Sequence, residues 1–403
     1  MVNQSDKRSV VNAIFIGMLC SISYFAVYNA RNILGAITPL MLVDGFTEEY
    51  IGTVSSVYFI CYAVGQLING TRGDKIKAKY MVSTGLLMAG ISNLLFSKIS
   101  VINPVIAIAI FGATGYFLSM IYGPMTKIIA ENTEPLYATR CSLGYTFASF
   151  LGSPSAGYLA AFMTWQGVFS VSAYLLGIMA VIFFCVSGVF ERKGIISYNR
   201  YEKKKEKVGS IKTLLEHRIV KFTFVAILTG IVRTSVVFWM PTYLCQHLGF
   251  STEKAVSIFA TATLVITTTT FIVVFIYERL KHNLDLTLFI MFTSAVVCFT
   301  LVYFVTNPLM NIIFLVLAIM SSGGAATMLY SMYLPSLRDT GMVSTATGFL
   351  DFMSYMAAAV SNVVFANAVT TLGWGNLILV WTALMICGVV VALPYKKREV
   401  KNV

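Results

Sequence analysis

The chain has 403 residues, of which 57% are hydrophobic and only 11% are charged, and its formal net charge is +12. A soluble protein carries about 25% charged residues because its surface faces water, so this composition excludes an ordinary soluble domain. The charges stand between apolar runs of about 20 residues, the length that crosses the hydrocarbon core of a bilayer. The positive charge is typical of lysine and arginine kept on the cytoplasmic side of a membrane, and we predict no nucleic-acid partner.

The apolar runs predict an all-α membrane protein with twelve membrane-spanning helices. The first run is too long for the core of a signal peptide, and no small-residue cleavage site follows it, so we expect a retained helix. An even number of helices places both chain ends on the same side of the membrane. The predicted helices cover 10–40, 49–71, 78–98, 103–126, 139–162, 166–190, 218–246, 252–277, 284–305, 308–334, 341–371 and 374–395.

A long polar, lysine-rich segment divides the chain nearly in half. It predicts an N-terminal six-helix bundle over 1–190, a basic cytoplasmic linker over 191–217 and a C-terminal six-helix bundle over 218–403. Of the 29 lysines and arginines, 25 lie in the two tails, in the stretch 192–221 around this linker or at the other even-numbered connections. The excess of positive charge on one side places both termini in the cytoplasm. The short outer loops favour the inner membrane of a bacterium.

The two halves of the sequence resemble each other. Arg31 stands eight residues before a proline, and a Gly-Phe-Thr-Glu turn follows. Arg233 also stands eight residues before a proline, and a Gly-Phe-Ser-Thr-Glu turn follows it. The hydroxyl residues of both turns predict N-caps for helices 2 and 8, and the acidic residues suit the first helical turn. Two repeated bundles that meet at a binding site halfway through the membrane are a transporter architecture.

Arg31 and Arg233 lie deep inside predicted helices, where a charged side chain costs on the order of 3 kcal/mol. They predict a water-filled cavity where both arginines hold an anion, since the planar guanidinium binds phosphate or carboxylate oxygens in bidentate fashion. The alternative is that they reach an interface or pair with a structural carboxylate. Tyr24 and Tyr28 share the helix face of Arg31, either as donors or as packing. Asp351 is a counter-ion, a proton carrier or a structural hydrogen-bonding group.

Three segments resemble the major facilitator superfamily, and more narrowly its organophosphate:phosphate antiporter family, which includes the glycerol-3-phosphate and hexose-phosphate transporters. The arginine of helix 7 is the feature that points to the phosphate branch. The segments are Tyr28-Asn-Ala-Arg31-Asn32 with Pro39, the loop Gly70-Thr-Arg-Gly-Asp74-Lys75 with Lys79, and Arg233 with Trp239-Met-Pro241-Thr242-Tyr243-Leu244.

The resemblance implies the fold of that superfamily, twelve helices in two pseudo-symmetric six-helix bundles. It also implies that the two arginines clasp the phosphoryl group of the substrate, with Tyr24, Tyr28 and Tyr355 nearby. The sequence departs from the family at Gln66, where the glycerol-3-phosphate transporters carry a lysine, and at Ala148, next to Ser149, where they carry a histidine. Asp351 is foreign to the pattern. These departures leave open a monoanionic ester, a sugar acid or a different coupling scheme.

The loop that carries Asp74, Lys75 and Lys79 resembles the gating signature of the superfamily. There the acidic residue caps or pairs with neighbouring helix ends while the protein faces outward. A carboxylate near helix N-termini is favourable because of the helix dipole. The alternative interpretation is a tight charged turn without a gating role.

We therefore expect a secondary active transporter of a small organic anion, a phosphorylated metabolite exchanged for inorganic phosphate by rocker-switch alternating access. One alternative is a proton-coupled symporter of a sugar acid or another carboxylate, and a second is a transporter-like receptor for a sugar phosphate. An acid–base dyad, a nucleophile–histidine pair and a metal-ligand cluster are absent from the sequence, so we expect no enzyme, no cofactor and no metal site. The expected partners are the anionic substrate, phosphate and the bilayer, and we expect a monomer.

Overall fold

The computed structural model describes residues 4–73, 76–133, 151–197, 211–337 and 343–393, together with Tyr137, Cys141, Gly144 and Ala148. Within these residues, ten helices are long and apolar enough to cross a membrane. The last of them, Ala346–Ala392, contains Gly373 with φ 77°, which divides it into two helices. The predicted fifth helix is described only over its final part, Gly152–Phe162. The described residues thus account for all twelve predicted helices.

The helices of the first half follow the predicted order, and two of them differ in extent from the prediction. α1 is longer than predicted at both ends, and α4 is interrupted between two helical segments. The helices are α1 Gln4–Val43, α2 Glu48–Gly73, α3 Ala78–Ile99, α4 Pro104–Leu118 with Tyr122–Asn132, α5 Gly152–Phe162 and α6 Trp165–Arg192.

A short helix, Ile211–Glu216, precedes the second half. The long helices that follow are interrupted more often than those of the first half. They are α7 Ile219–Gly230 with Ile231–Val236 and Val237–Gln246, α8 Thr252–Thr267 with Thr269–Arg279, α9 Leu284–Phe304, α10 Pro308–Met328 with Leu329–Tyr333 and Leu334–Ser336, and then α11 and α12 on either side of Gly373 within Val343–Ala392.

Several helices have side-chain N-caps, and one pair of these caps repeats between the halves. The predicted cap of α2 is present, because Thr47 Oγ1 accepts a hydrogen bond from the Tyr50 amide at 3.2 Å. A further pair was not predicted. Asn103 caps α4 and Asn307 caps α10, each directly before a proline, with side-chain oxygens 3.0–3.2 Å from amides of the first turn. Proline at the first helical position suits this arrangement because its missing N–H would have no partner there.

The turns after α1 and α7 are built in the same way. Gly45 has φ 91° and Gly249 has φ 73°, in the left-handed region that side chains disfavour. The amides of the following phenylalanines, Phe46 and Phe250, each donate back into the preceding helix at 3.1 Å. The repeat detected in the sequence therefore extends to backbone conformation.

Two π-helical turns interrupt α7 and α10, where the sequence predicted continuous helices. The first covers Ile231–Val236 and carries Arg233, and the second covers Leu329–Tyr333 and carries Tyr330. A π turn inserts one residue into the α-helical ladder and is frequent at functional sites because it re-aims side chains. Hydropathy does not report such an insertion, so the prediction missed both turns.

The chain forms two compact units. Unit 1 contains Met1–Lys204, Val237–Leu264 and Ala358–Thr371, and unit 2 contains Lys205–Val236, Val265–Ala357 and Leu372–Val403. Unit 1 therefore includes the final part of α7, the first part of α8 and the second part of α11 as well as the first half. The division of the chain into two bundles and the 191–217 linker stays a prediction.

Within unit 1, segments from the two sequence halves pack closely at the helix ends that the charge distribution predicts to lie on the outer side. The Asn362 side chain donates to Ser55 Oγ at 2.8 Å, and the Gln246 side chain donates to the Glu48 carboxylate at 2.7 Å. A Cβ at Gly52 would lie 2.9 Å from the Asn362 carbonyl, so α2 approaches this helix backbone to backbone. We call this set of contacts the outer junction.

Candidate functional site

Aromatic rings surround Arg31 in unit 1. Its guanidinium carbon lies 5.3 Å from the ring centre of Tyr28, 5.6 Å from that of Phe59 and 5.1 Å from that of Tyr62. A guanidinium within about 6 Å of a ring centre is attracted by the ring quadrupole. The rings therefore attract the cation, although they carry no negative charge of their own.

Close helix packing places two of these rings. A Cβ at Gly152 of α5 would lie 2.5 Å from the backbone carbon and from Cβ of Tyr28, so only glycine lets α5 press against that residue. A Cβ at Gly115 of α4 would lie 2.3 Å from the carbonyl oxygen of Tyr58, which brings α4 against the segment that carries Phe59. The glycines thus determine how near α1 and α2 lie to their neighbours.

The other predicted residues of the first half extend the same group of side chains. Tyr24 is buried, with its ring centre 4.9 Å from that of Tyr28 and 5.8 Å from that of Tyr122. Gln66 donates through Nε2 to the Tyr62 hydroxyl at 2.9 Å. Gln66 therefore orients a ring that contacts Arg31. The remaining predicted residue, Ser149, lies outside the described residues.

Arg233 is exposed and lies near the middle of the long α7 span Ile219–Gln246. Its guanidinium carbon is 5.6 Å from the ring centre of Tyr330. Both residues stand on π turns, Arg233 in α7 and Tyr330 in α10. The two irregular turns of unit 2 therefore meet at a cation–π contact.

Asp351 and Tyr355 of α11 belong to this group as well. The buried Tyr330 hydroxyl has Arg233, Asp351 and Tyr355 as its electrostatic neighbours. Asp351 is partly buried and Tyr355 is 6% exposed. The structure thus brings together in unit 2 three of the predicted residues, Arg233, Asp351 and Tyr355, around a tyrosine that was not predicted.

A close contact between α7 and α11 maintains this arrangement. A Cβ at Gly230 would lie 2.3 Å from Ser354 Oγ and 2.7 Å from the Ser354 carbonyl oxygen. Gly230 stands three residues before Arg233, and Ser354 stands between Asp351 and Tyr355. The absence of a side chain at position 230 therefore allows the acidic residue and the arginine to share one neighbourhood.

Part of the predicted gating loop lies outside the described residues, namely Asp74 and Lys75. Lys79 is described, and it forms an ion pair with Glu191 at the end of α6. Lys77 pairs with the other oxygen of the same carboxylate at 2.5 Å. Glu191 joins the start of α3 to the end of α6 within unit 1, so Lys79 has a role in tying these helix ends together.

The prediction missed Phe59, Tyr62, Tyr330 and Glu191. Tyr62 had a detectable signal, because it stands four residues before Gln66 and therefore on the same face of α2. Tyr330 lies far from Arg233 and Asp351 in sequence, and its orientation depends on a π turn. No spacing pattern in one sequence connects these three residues.

Comparison with protein families shows that the model described as Major Facilitator Superfamily matches residues 20–362. The glycerol-3-phosphate transporter of Bacillus subtilis (strain 168) is 23% identical over 410 residues, which cover 95% of this chain and 91% of that protein. The probable hexose phosphate transport protein of Chlamydia muridarum (strain MoPn / Nigg) is 20% identical, over 60% of this chain and 59% of that protein.

Comparison with solved structures shows the same fold. A bacterial homolog of the human lysosomal transporter Spinster, in an inward-facing and occupied conformation, superposes with a TM-score of 0.78. The alignment covers 94% of this chain and 95% of that one at 11% sequence identity. The twelve helices described above are those of this fold.

Proposed function

Because the chain belongs to the major facilitator superfamily, we propose that it carries a phosphorylated organic anion across the membrane in exchange for inorganic phosphate. The chain is a multi-pass membrane transporter and not an enzyme. The printed names of its relatives, a glycerol-3-phosphate transporter and a probable hexose phosphate transport protein, support this substrate class. Both termini lie in the cytoplasm, and the membrane is the inner membrane of a bacterium.

The observation that carries the proposal is the pair of arginines in the middle of apolar spans. Arg31 contacts three aromatic rings and Arg233 contacts one, and neither side chain is fully buried. A guanidinium that faced acyl chains would be costly, so each faces water when no ligand is bound. Both arginines bind the phosphoryl oxygens of the substrate, each through its planar set of donors.

Charge explains why transport takes the form of exchange. An empty site retains positive charge inside the membrane, and this charge opposes the change of access from one side to the other. A bound anion neutralises it and lowers the barrier, so only loaded transporters change access quickly. The outer junction supports alternating access, because its two polar contacts are of a kind that a rocking motion breaks and remakes.

Exchange in liposomes tests the proposal. Purified protein is reconstituted with internal phosphate, and uptake of labelled glycerol 3-phosphate or glucose 6-phosphate is followed. We expect uptake that depends on internal phosphate and that disappears in Arg31→Lys and in Arg233→Lys, because lysine lacks the planar fork. Arg218→Lys is the matched control, since Arg218 pairs with Asp285 at 2.6 Å and is not one of the proposed binding residues. Full exchange in both site variants refutes the proposal.

Asp351 favours one second candidate, a proton-coupled symporter. Its carboxylate lies among Arg233, Tyr330 and Tyr355, where gain or loss of a proton changes the charge next to an arginine. An inward proton gradient would then drive uptake into liposomes that contain no phosphate. Binding of a sugar phosphate without any flux would instead indicate a receptor.

A further inference from the structure

A cavity of about 400 Å³ lies in unit 1 beside the first half of α1. None of the described residues that line it is charged. Its size falls in the range of small-molecule sites. An apolar cavity of about 150 Å³ already holds benzene, so this one can hold a chain of roughly ten carbons. Its lining includes Val10, Ile14, Gly17 and Ser21 of α1, together with Cys141 and Gly144.

The cavity and Arg31 lie on one face of α1. Val10 and Gly17, which line the cavity, are followed by Tyr24 and Arg31 at intervals of seven residues. Seven residues complete about two turns of an α-helix, and α1 is helical over Gln4–Val43. Ile22, the last cavity-lining residue of α1, stands nine residues before the arginine. The two levels of the helix are therefore about 14 Å apart along its axis.

The guanidinium of Arg31 reaches back towards the cavity. Long side chains of a helix point towards its N-terminus, and the Arg31 guanidinium carbon lies 5.3 Å from the ring centre of Tyr28, three residues earlier. The ring centre of Tyr24 lies 4.9 Å from that of Tyr28. Tyrosine rings thus stand at the helix levels between the cation and the cavity, and the cation lies nearer to the cavity than its backbone does.

Resting on the proposed function for the phosphoryl end, we propose that unit 1 binds an amphiphilic phosphate ester, with its phosphoryl group at Arg31 and its alkyl chain in the cavity. The planar guanidinium complements the charge and the oxygen geometry of the phosphoryl group. The cavity removes the alkyl chain from water, which favours binding in proportion to the apolar area that is buried. Both parts of the site stand on α1, so one elongated molecule occupies them together.

Alkyl phosphates of increasing length test this inference. Scintillation proximity measures the binding of labelled octyl phosphate to the purified full-length protein, and methyl, butyl, hexyl and decyl phosphates are measured by competition, all below their micelle concentrations. The phosphoryl group is the same throughout, so differences in the dissociation constant report on the chain. Each added CH₂ group should tighten binding by up to about fourfold, until the chain fills the cavity. Equal affinity for methyl and octyl phosphate overturns the inference.

Gly144→Leu fills the cavity from the side opposite α1. Among the described atoms, a Cβ at Gly144 would meet Ser21 Oγ at 3.1 Å, and that hydroxyl can rotate away. We expect binding of octyl phosphate at least tenfold weaker and binding of methyl phosphate unchanged. Gly177→Leu in α6 is the matched control, since a Cβ there meets no described atom within 4 Å, and it should bind both esters like the wild type. Wild-type affinity for octyl phosphate in Gly144→Leu overturns the inference.

Ile14→Ala provides a second variant that does not depend on filling the cavity. Ile14 lines the cavity and its side chain is more than half exposed, so its truncation should leave the protein folded. The larger cavity should bind longer chains, so that affinity continues to rise at chain lengths where the wild type has reached its plateau. A plateau at the wild-type length in this variant contradicts the assignment of the chain to the cavity.

The uncharged alcohol octanol shows whether Arg31 takes part. It has the same chain without the phosphoryl group, and we expect it to displace labelled octyl phosphate at least tenfold less effectively than unlabelled octyl phosphate does. Arg31→Lys should weaken octyl phosphate and leave octanol unchanged, because lysine lacks the planar fork. Equal displacement by octanol indicates a groove for lipid chains that is unconnected with Arg31, and it overturns the inference. Chain-dependent binding by a protein that performs no phosphate exchange in liposomes overturns the proposed function instead.

Discussion

Replacing Gly230 by alanine tests whether the α7–α11 contact positions the arginine. The new Cβ would lie 2.3 Å from Ser354 Oγ, 2.7 Å from the Ser354 carbonyl oxygen and 3.0 Å from Ser354 Cα. The Ser354 hydroxyl can rotate away from the new Cβ, but the Ser354 backbone cannot. Because ordinary contact begins near 3.4 Å, the carbonyl at 2.7 Å must move back by about 0.7 Å.

This displacement separates Asp351 from Arg233, since both stand within one helical turn of the contact. Overpacking of this kind costs about 1–3 kcal/mol of folding free energy. Misplacement of a binding group by about 1 Å costs up to roughly a hundredfold in rate. We therefore expect a lower unfolding temperature and an exchange rate reduced by a factor between about 10 and 100.

Gly348→Ala is the matched control, because a Cβ at that position, on α11 like Ser354, meets no atom within 4 Å. Alanine favours a helix over glycine by up to about 1 kcal/mol, so this variant should be at least as stable as the wild type and fully active. Scanning fluorimetry and liposome exchange measure both quantities. If Gly230→Ala matches the wild type in both, the close contact does not position the cluster.

Three further predictions concern single side chains that form hydrogen bonds. Tyr62→Phe removes the hydroxyl that accepts a hydrogen bond from Gln66, so it should lower the free energy of unfolding by about 1 kcal/mol and weaken substrate binding. The control is Tyr50→Phe, which should leave binding unchanged because the Tyr50 hydroxyl contacts an exposed carbonyl. Asn307→Ala removes the cap of α10 and should lower the free energy of unfolding by about 1 kcal/mol. Scanning fluorimetry detects this loss, and an unfolding temperature equal to that of the wild type would contradict the assigned cap. Asn362→Ala removes the hydrogen bond to Ser55 in the outer junction, and a loss of about 1 kcal/mol shifts the equilibrium about fivefold toward outward access. An unchanged rate of labelling of a cysteine introduced at the buried Ile51, one helical turn before Ser55, would argue against a gating contact.

The class of the protein and much of its helix order were predictable from the sequence because they depend on local properties. A bilayer requires apolar runs of a certain length, and these runs are visible without any contact information. The repeat was predictable because Arg31 and Arg233 keep the same distance to a proline and a glycine turn. The conformations of Gly45 and Gly249 and the Thr47 cap agree with that reading. The two arginines and Asp351 stood out because charges are expensive in a membrane.

The environment of those charges was decided only by the tertiary structure. Phe59 reaches Arg31 because α4 packs against α2 at Gly115, and Tyr330 reaches Arg233 because two π turns re-aim their side chains. Hydropathy and periodicity describe one helix at a time, whereas these contacts depend on how closely separate helices approach. The sequence by itself therefore determined a membrane protein with two repeated arginines. The packing of α7, α10 and α11 determined that one of them shares its surroundings with a carboxylate.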